Sequence, residues 1–307
     1  MKILIVGLGV QGQKRKKLLN KRLVFATVDT KNKSADFKDI KDVPLTKYDS
    51  VFVCTPDSEK LKILNHCIKY KKNALIEKPL VANSKEKIRK LENEANKKNL
   101  VFYSAYNHRF EPHFINIKKI IKSKVLGKIY HCHLFYGNGT ARLVRNQKWR
   151  DKGLGIIQDL GPHLMDTIKF WFDKDFKFTT VLKNKFENKS PDHAILFSRK
   201  NKFFVELEMS MCMWKNTLRC DIIGSKGSIH LNSLCKWGPS TLRILKRKLP
   251  SGYPKEKKII IKKKDPTWEM EHKYFFSLLK LKKRNNFSKD IWINNNLINF
   301  RKLLKVK

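Results

Sequence analysis

The chain has 307 residues, of which 41% are hydrophobic, so it is long enough for two ordinary domains with cores of their own. Its formal net charge is +41, but the positive charge is spread along the chain, and only thirteen of the 68 basic residues are arginine. We therefore expect no specific nucleic-acid partner and only salt-sensitive binding to polyanions. No apolar run approaches the ~20 residues of a membrane helix and no signal peptide is visible, so we expect a cytoplasmic protein without membrane insertion.

The N-terminal residues follow the order strand, glycine-rich turn, helix, strand. The apolar run Lys2–Val6 predicts a buried parallel strand, Gln13–Leu19 a helix, and Leu23–Val28 a second strand. A Gly-x-Gly-x-x-Gly motif joins the first strand to the helix, which is the pattern of a dinucleotide-binding turn. The predicted cofactor-binding residues of this turn are Gly7, Gly9, Val10, Gln11 and Gly12.

Each glycine of the motif has a physical role. Gly7 allows the tight turn, Gly9 lets the backbone approach a pyrophosphate, and Gly12 lets the helix pack closely on the strand. The free N–H groups at the start of the helix favour the negatively charged phosphates.

An acid stands where the second predicted strand ends. Asp29 follows Gly7 by 22 residues, at the distance where an acid meets the adenosine ribose hydroxyls. It favours NAD over NADP, because a 2′-phosphate would meet its negative charge. Lys31 and Lys33 follow closely and would soften that rejection.

Strands and helices continue to alternate up to residue 105. The predicted strands are Ser50–Cys54, Asn73–Ile76 and Leu100–Ser104, and the predicted helices are Glu59–Tyr70 and Lys85–Lys98. This alternation indicates a doubly wound parallel sheet, so residues 1–105 are predicted to form an α/β Rossmann domain. Ligands of such sheets bind at the carboxyl ends of the strands. The residues at these ends are therefore ligand candidates, and they are Asp29, Thr55, Pro56, Glu77, Lys78, Tyr106 and Asn107. Thr55 and Pro56 are expected to bind cofactor.

Residues 106–307 show a different pattern, with several strands that no helix separates. The predicted strands are Lys128–Tyr136, Thr179–Val181, His193–Arg199, Lys202–Ser210, Thr217–Gly224 and Gly227–Leu231, and the predicted helices are Phe114–Ser123, Ile156–Phe172, Trp268–Leu281 and Ile291–Leu304. This pattern indicates an α+β domain with a mainly antiparallel sheet. Its last two helices are candidates to pack back on the Rossmann domain.

The predicted helix Ile156–Phe172 carries an acid and a histidine four residues apart. Asp159 and His163 would share one helix face, where a carboxylate and an imidazole can bind neighbouring hydroxyls of a polyol. The alternative is an ordinary Asp–His pair on a helix. Asp166 would orient the His163 ring or lie in solvent. No fourth ligand accompanies these three residues, and the six cysteines lack zinc-ligand spacing, so no metal site is predicted.

A basic stretch with one tryptophan, residues 142–150, precedes this helix. It is either a solvated loop or a rim that binds the phosphate of a nucleotide sugar or sugar phosphate, with Arg145 contributing. Arg109 is a further candidate, just beyond the last strand of the Rossmann domain. The predicted substrate contacts are Arg109, Arg142, Trp149, Arg150, Asp159 and His163.

Five motifs in this order resemble the glucose–fructose oxidoreductase / inositol dehydrogenase / rhizopine catabolism (Gfo/Idh/MocA) family over essentially the whole chain. They are Gly7–Gly12, Cys54-Thr55-Pro56, Glu77-Lys78-Pro79, Tyr106–Phe110 and Gly153–Asp166. The chain departs from the family pattern at Asp57–Lys60, where the family usually has Asn and then His, and it is short for the family.

The resemblance implies an NAD(P)-dependent oxidoreductase that moves a hydride between nicotinamide and a hydroxyl or keto carbon of a sugar, nucleotide sugar or cyclitol. It implies that Lys78 lies beside the nicotinamide and the reacting hydroxyl, that Glu77 fixes the ribose and positions Lys78, and that Asn107 reaches the nicotinamide end. His163 would transfer the proton and Asp159 would contact substrate. Lys78, His163 and Asp159 are therefore the predicted catalytic residues.

The resemblance also implies a homodimer or homotetramer formed through the C-terminal sheet. The alternative function is a non-catalytic dinucleotide-binding regulator of the same fold. Such a protein need not keep Lys78 and His163, and this chain has both.

Overall fold

The computed structural model describes residues 1–147, 150–200 and 202–305. The chain forms two compact units: the first contains residues 1–107 and 267–295, and the second contains residues 108–266 and the residues from 296 onward. The sequence places one division near residue 105, whereas the chain also returns to the first unit at Thr267. No helix in the described ranges is long and apolar enough to cross a membrane.

The elements lie close to the predicted ones. The strands are β1 Ile3–Val6, β2 Val24–Val28, β3 Ser50–Val53, β4 Asn73–Glu77, β5 Phe102–Ala105, β6 Ile129–Gly137, β7 Thr180–Asn184, β8 His193–Lys200, β9 Phe203–Ser210, β10 Thr217–Gly224, β11 Gly227–Asn232, β12 Ser240–Lys246 and β13 Lys255–Ile261. The helices are α1 Val10–Leu18, α2 Asp57–Lys69, α3 Lys85–Lys97, α4 Pro112–Lys122, α5 Ala141–Val144, α6 Ile156–Asp159, α7 Gly161–Phe172, α8 Thr267–Lys280 and α9 Ser288–Leu303.

The first unit contains a five-stranded parallel sheet in the order β2-β1-β3-β4-β5, so the predicted doubly wound fold is confirmed. All four residues of β1 and all four of β3 are buried, as expected of strands covered on both faces. Val6 lies opposite Val28 and Val53, which aligns the carboxyl ends of three strands at one edge of the sheet. The residues that follow these strands therefore meet at that edge.

The second unit contains an eight-stranded sheet in the order β13-β12-β11-β10-β6-β9-β8-β7. Among the described strand pairs of this sheet, only the central β6–β9 pair is parallel, which confirms the mainly antiparallel sheet. Burial alternates along the strands: Leu134 and Leu207 are fully buried on one face, whereas His133 and Glu206 are partly exposed on the other. We call this second face the open face of the sheet.

Two features differ from the predicted elements. The predicted helix Ile156–Phe172 is two helices, because α6 ends at Asp159 and α7 begins at Gly161. Pro162 has no N–H to donate and favours the first turn of a new helix, which explains the division. Strands β12 and β13 were not predicted, since the lysine-rich β13 has little apolar alternation and is an edge strand.

Candidate functional site

The glycine-rich turn leaves one stretch of backbone open. Gly7 has φ +95°, and a Cβ there would lie 2.6 Å from the carbonyl oxygen of Cys54, while a Cβ on Gly12 would lie 1.8 Å from the carbonyl oxygen of Gly7. The fold itself therefore requires these two glycines. Gly9 is different: its φ is −69°, and a Cβ would meet no atom of the described residues within 4 Å. The space over Gly9, beside the exposed Val10 and Gln11 at the start of α1, fits the close approach of a pyrophosphate.

Asp29 is fixed beside this turn by backbone groups. Its carboxylate accepts hydrogen bonds from the N–H groups of Leu8 (2.7 Å), Lys31 (2.9 Å) and Asn32 (2.8 Å). Burial opposes ionisation, but these three bonds outweigh it and lower the pKa of Asp29. A fixed negative charge therefore ends β2, where the adenosine ribose of a dinucleotide is expected.

Three further predicted cofactor residues lie just beyond the ends of other strands. The Thr55 hydroxyl is buried, and its oxygen has no hydrogen-bond partner among the described residues. It can therefore serve a ligand that approaches this edge. Pro56, which follows it, is exposed. The Asn107 amide instead donates a hydrogen bond to the hydroxyl of Thr267, over 2.8 Å.

Glu77 belongs to a buried charge cluster that sequence analysis missed. Arg15, which is 1% exposed, contacts Glu77 (2.5 Å) and Glu271 (2.8 Å), so one cation serves two carboxylates. Burial raises the pKa of Glu271 to about 7 although Arg15 opposes this, and Glu77 adds to the rise. Burial, aided by the Arg15 charge, lowers the pKa of the neighbouring His272 to about 3, so this imidazole is neutral. The residues of this cluster are too distant in the chain for any local pattern to have joined them.

Lys78 is partly buried directly after this cluster, and its peptide bond to Pro79 is cis. The ammonium of Lys60, itself 1% exposed, donates hydrogen bonds to the Pro79 carbonyl (2.8 Å) and to Asp57 (2.7 Å). Asp57 and Lys60 belong to the segment that departs from the family pattern. Here this segment supplies the contact that holds the chain next to Lys78.

In the second unit, His163 lies in an aromatic cluster. Its ring stacks on His108, with centroids 4.5 Å apart and planes 25° apart, and the Tyr136 ring lies 5.6 Å from His108. Burial raises the pKa of Tyr136, and the nearby charge of Asp159 acts in the same direction. His108 and Tyr136 received no role from the sequence, because neither is within 25 residues of His163 in the chain.

Four of the predicted substrate residues make ion pairs, and three of them are Arg109, Arg150 and Asp159. Arg150 forms a salt bridge with Asp159 over 2.7 Å, and Arg109 forms a bidentate salt bridge with Asp166, with distances of 2.8 to 3.1 Å. Asp166 is 1% exposed, so it does not lie in solvent, and its carboxylate pairs with Arg109. That it orients the His163 ring stays a prediction.

Two other basic residues share a single carboxylate. Arg142 and Arg145 lie 3.2 and 3.3 Å from the same oxygen of Glu187, and the Arg142 side chain is 86% exposed. Two guanidinium groups beside one acid leave a net positive charge. Trp149, the remaining predicted substrate residue, lies outside the described residues.

Fold and sequence together define a Rossmann dinucleotide-binding unit joined to an α+β unit. Residues 1–106 match the model of an oxidoreductase family with an NAD-binding Rossmann fold, and residues 114–230 match the GFO/IDH/MocA C-terminal domain. The chain belongs to the Gfo/Idh/MocA family, which confirms the resemblance seen in the sequence.

Individual relatives are distant. The chain is 25% identical to oxidoreductase P35 of Formosa agariphila, over 66% of this chain and 64% of that protein. It is 29% identical to glucose-6-phosphate 3-dehydrogenase of Bacillus subtilis, over 46% and 44%. The chain thus matches less than two thirds of the length of either relative. Among solved structures, levoglucosan dehydrogenase in complex with NADH and levoglucosan has the same fold, with a TM-score of 0.80, 16% identity, and coverage of 99% of this chain and 98% of that one.

Proposed function

We propose that this chain is an NAD(H)-dependent oxidoreductase that moves a hydride between nicotinamide and a hydroxyl or keto carbon of a sugar, nucleotide sugar or cyclitol. The observation that carries the proposal is the open backbone at Gly9 next to the backbone-anchored carboxylate of Asp29. The family supports it, and so do relatives named as dehydrogenases of sugars.

The cofactor would be held by three features of the first unit. The Gly9 backbone and the N–H groups of the first turn of α1 would bind the pyrophosphate, Asp29 the adenosine ribose, and the Thr55 hydroxyl a further polar group. NAD supplies the hydride acceptor when bound. The ionised Asp29 favours NAD over NADP, because a 2′-phosphate would meet a fixed negative charge.

The chain's own residues would handle the substrate oxygen and its proton. The ammonium of Lys78 donates a hydrogen bond to an oxygen that gains negative charge, or exchanges a proton with it. The imidazole of His163 serves as acid or base, and Asp159 accepts a hydrogen bond from a neighbouring hydroxyl. Glu77, through its pairing with Arg15, fixes the backbone from which Lys78 projects.

The exposed basic pair Arg142 and Arg145 favours a substrate that carries phosphate. Their net charge next to Glu187 can hold a sugar phosphate or the diphosphate of a nucleotide sugar. Replacement of both residues by Ala is expected to raise KM for such substrates and to leave KM for neutral sugars unchanged. An unchanged KM for the phosphorylated substrates would remove this part of the proposal. Assembly into a homodimer or homotetramer through the C-terminal sheet stays a proposal as well.

The decisive experiment measures the binding of NADH and NADPH by their nicotinamide fluorescence. It is done at about 200 mM salt to suppress non-specific attraction. Gly9→Ala should weaken binding of both by at least about tenfold without a change in Tm, because the new methyl group occupies the pyrophosphate space but touches no described protein atom. Asp29→Ala should weaken NADH binding and reduce the preference over NADPH. The exposed Asp42→Ala changes the net charge equally and should change neither.

Two results would contradict the proposal. A wild-type protein that binds neither dinucleotide would remove its foundation. NADH binding that responds to Gly9→Ala, but without turnover on any sugar, sugar phosphate or cyclitol, would instead favour the non-catalytic regulator.

A further inference from the structure

Three histidines and two glutamates form a continuous row on the open face of the eight-stranded sheet. The row crosses three adjacent strands, and its members are His131 and His133 on β6, Glu206 and Glu208 on β9, and His193 on β8. Their side chains are between 21% and 40% exposed in the single chain. Three of the nine histidines of the chain thus lie together at one place, outside the residues to which we assign the redox chemistry.

The donor atoms of three members converge. The Nε2 atom of His133 lies 3.2 Å from Glu208 Oε2 and 3.7 Å from Glu206 Oε1, and one ligand atom from each of the three residues lies within 4.8 Å of the others. A single imidazole N–H can point at only one carboxylate. A cation at their common centre satisfies both carboxylates and the nitrogen.

We propose that His133, Glu206 and Glu208 bind a Zn²⁺ ion or a similar late first-row divalent cation. In tetrahedral zinc sites with bonds of about 2.0–2.2 Å, neighbouring ligand atoms lie about 3.3–3.5 Å apart, between the two distances measured here. One imidazole with carboxylates selects zinc-like ions, whereas Mg²⁺ and Ca²⁺ prefer sites made of oxygen.

The outer members of the row complete the site. The Nε2 atom of His193 lies 3.9 Å from Glu208 Oε1 and can supply a fourth ligand, and His131 Nε2 lies 4.0 Å from Glu206 Oε2 and can orient that carboxylate. The strand pairing places His133 directly opposite Glu206, so the hydrogen bonds of the sheet position the ligands before any ion binds. The site is independent of the proposed dehydrogenase activity.

The test is a Co²⁺ titration of chelator-treated, tag-free full-length protein, monitored by visible absorption. Tetrahedral Co²⁺ absorbs strongly in the visible range and reports on its ligands. We expect one Co²⁺ per chain, displaced by Zn²⁺ but not by Mg²⁺. His133→Ala, Glu206→Gln and Glu208→Gln should each weaken binding by at least about tenfold. The two Glu→Gln variants keep side-chain size, and their metal-free Tm should match that of wild type.

The control is His66→Ala, which removes a partly buried histidine of helix α2 in the first unit. It should bind Co²⁺ as wild type does. The proposal is overturned if wild type binds no more Co²⁺ than Glu208→Gln, or if His66→Ala loses binding equally. Thiolate-to-cobalt charge-transfer bands would also overturn it, because they would assign the ion to cysteines.

Discussion

The two sheets of this protein offer functional groups in different ways. The parallel sheet is buried on both faces, and the residues with proposed chemical roles, such as Asp29 and Lys78, stand where its strands end. The antiparallel sheet has one buried and one open face, and polar groups such as His133 and Glu206 meet side by side in the middle of strands. At the edge of the parallel sheet, each of these residues directly follows a strand. On the open face of the other sheet, the neighbouring side chains belong to strands that are distant in sequence.

The two units also differ in how far their ion pairs are removed from water. In the first unit Arg15 and its two carboxylates are removed from water, so each charge depends on the others. In the second unit an exposed pair such as Arg243 and Glu256 is screened by solvent.

The largest expected effect concerns the edge of the parallel sheet. Lys78→Met removes the proposed donor to the substrate oxygen and should lower kcat by about 10²- to 10⁴-fold, with NADH affinity little changed. The measurement is steady-state turnover on the best substrate of a sugar and sugar-phosphate panel. The control Lys85→Met removes an exposed lysine at the start of α3 and should keep full activity. Unchanged turnover in Lys78→Met would exclude this lysine from the chemistry.

The next effect concerns the buried cation. Arg15→Met leaves Glu77 and Glu271 without their common partner and should cost about 3–5 kcal/mol in the free energy of unfolding, measured in urea. Arg243→Met breaks the exposed pair with Glu256 and should have little effect. Equal losses in the two variants would contradict the contrast drawn between the units.

The same cluster predicts a pH dependence of stability. The pKa of Glu271 is about 7 in the folded protein and 4.5 when unfolded, so folding takes up a proton between these values. This contribution is fully present below pH 4.5 and is lost as the pH rises through 7. Glu271→Gln stays neutral, so its free energy of unfolding relative to wild type should rise by about 3 kcal/mol from acid to neutral pH.

Urea unfolding of both proteins across this pH range measures the effect. The control Glu269→Gln changes an exposed acid of the same helix α8 and should give a difference that does not vary with pH in this way. A flat difference for Glu271→Gln would mean that folding does not raise the pKa of this carboxyl above its unfolded value.

The smallest expected effect concerns the segment that departs from the family pattern. Lys60→Met leaves the Pro79 carbonyl and Asp57 without their buried donor and should destabilise the protein by about 1–3 kcal/mol. Lys62→Met, an exposed change in the same helix, should have little effect. Thermal and urea unfolding compare the two. Equal stability would show that this segment does not hold the chain beside Lys78.

Much of the fold and of the proposed cofactor site could be predicted from the sequence. The strands of the parallel sheet are short apolar runs, and the glycine turn with Asp29 is a local pattern whose parts lie within 23 consecutive residues. Such local patterns predict geometry well, because residues that are close in the chain are also held close in space. Pro162 is also a local signal for the division between α6 and α7, although the apolar periodicity predicted a single helix.

Other features depend on the tertiary structure alone. Arg15 meets Glu271 across 256 positions of the chain, and His133 meets Glu206 only through the pairing of β6 with β9. The sequence predicts no metal site because it offers no ligand spacing of the usual kind. Cofactor motifs are contiguous because a turn builds them, whereas a buried charge cluster or a row across a sheet face exists only after packing and strand register have brought its members together.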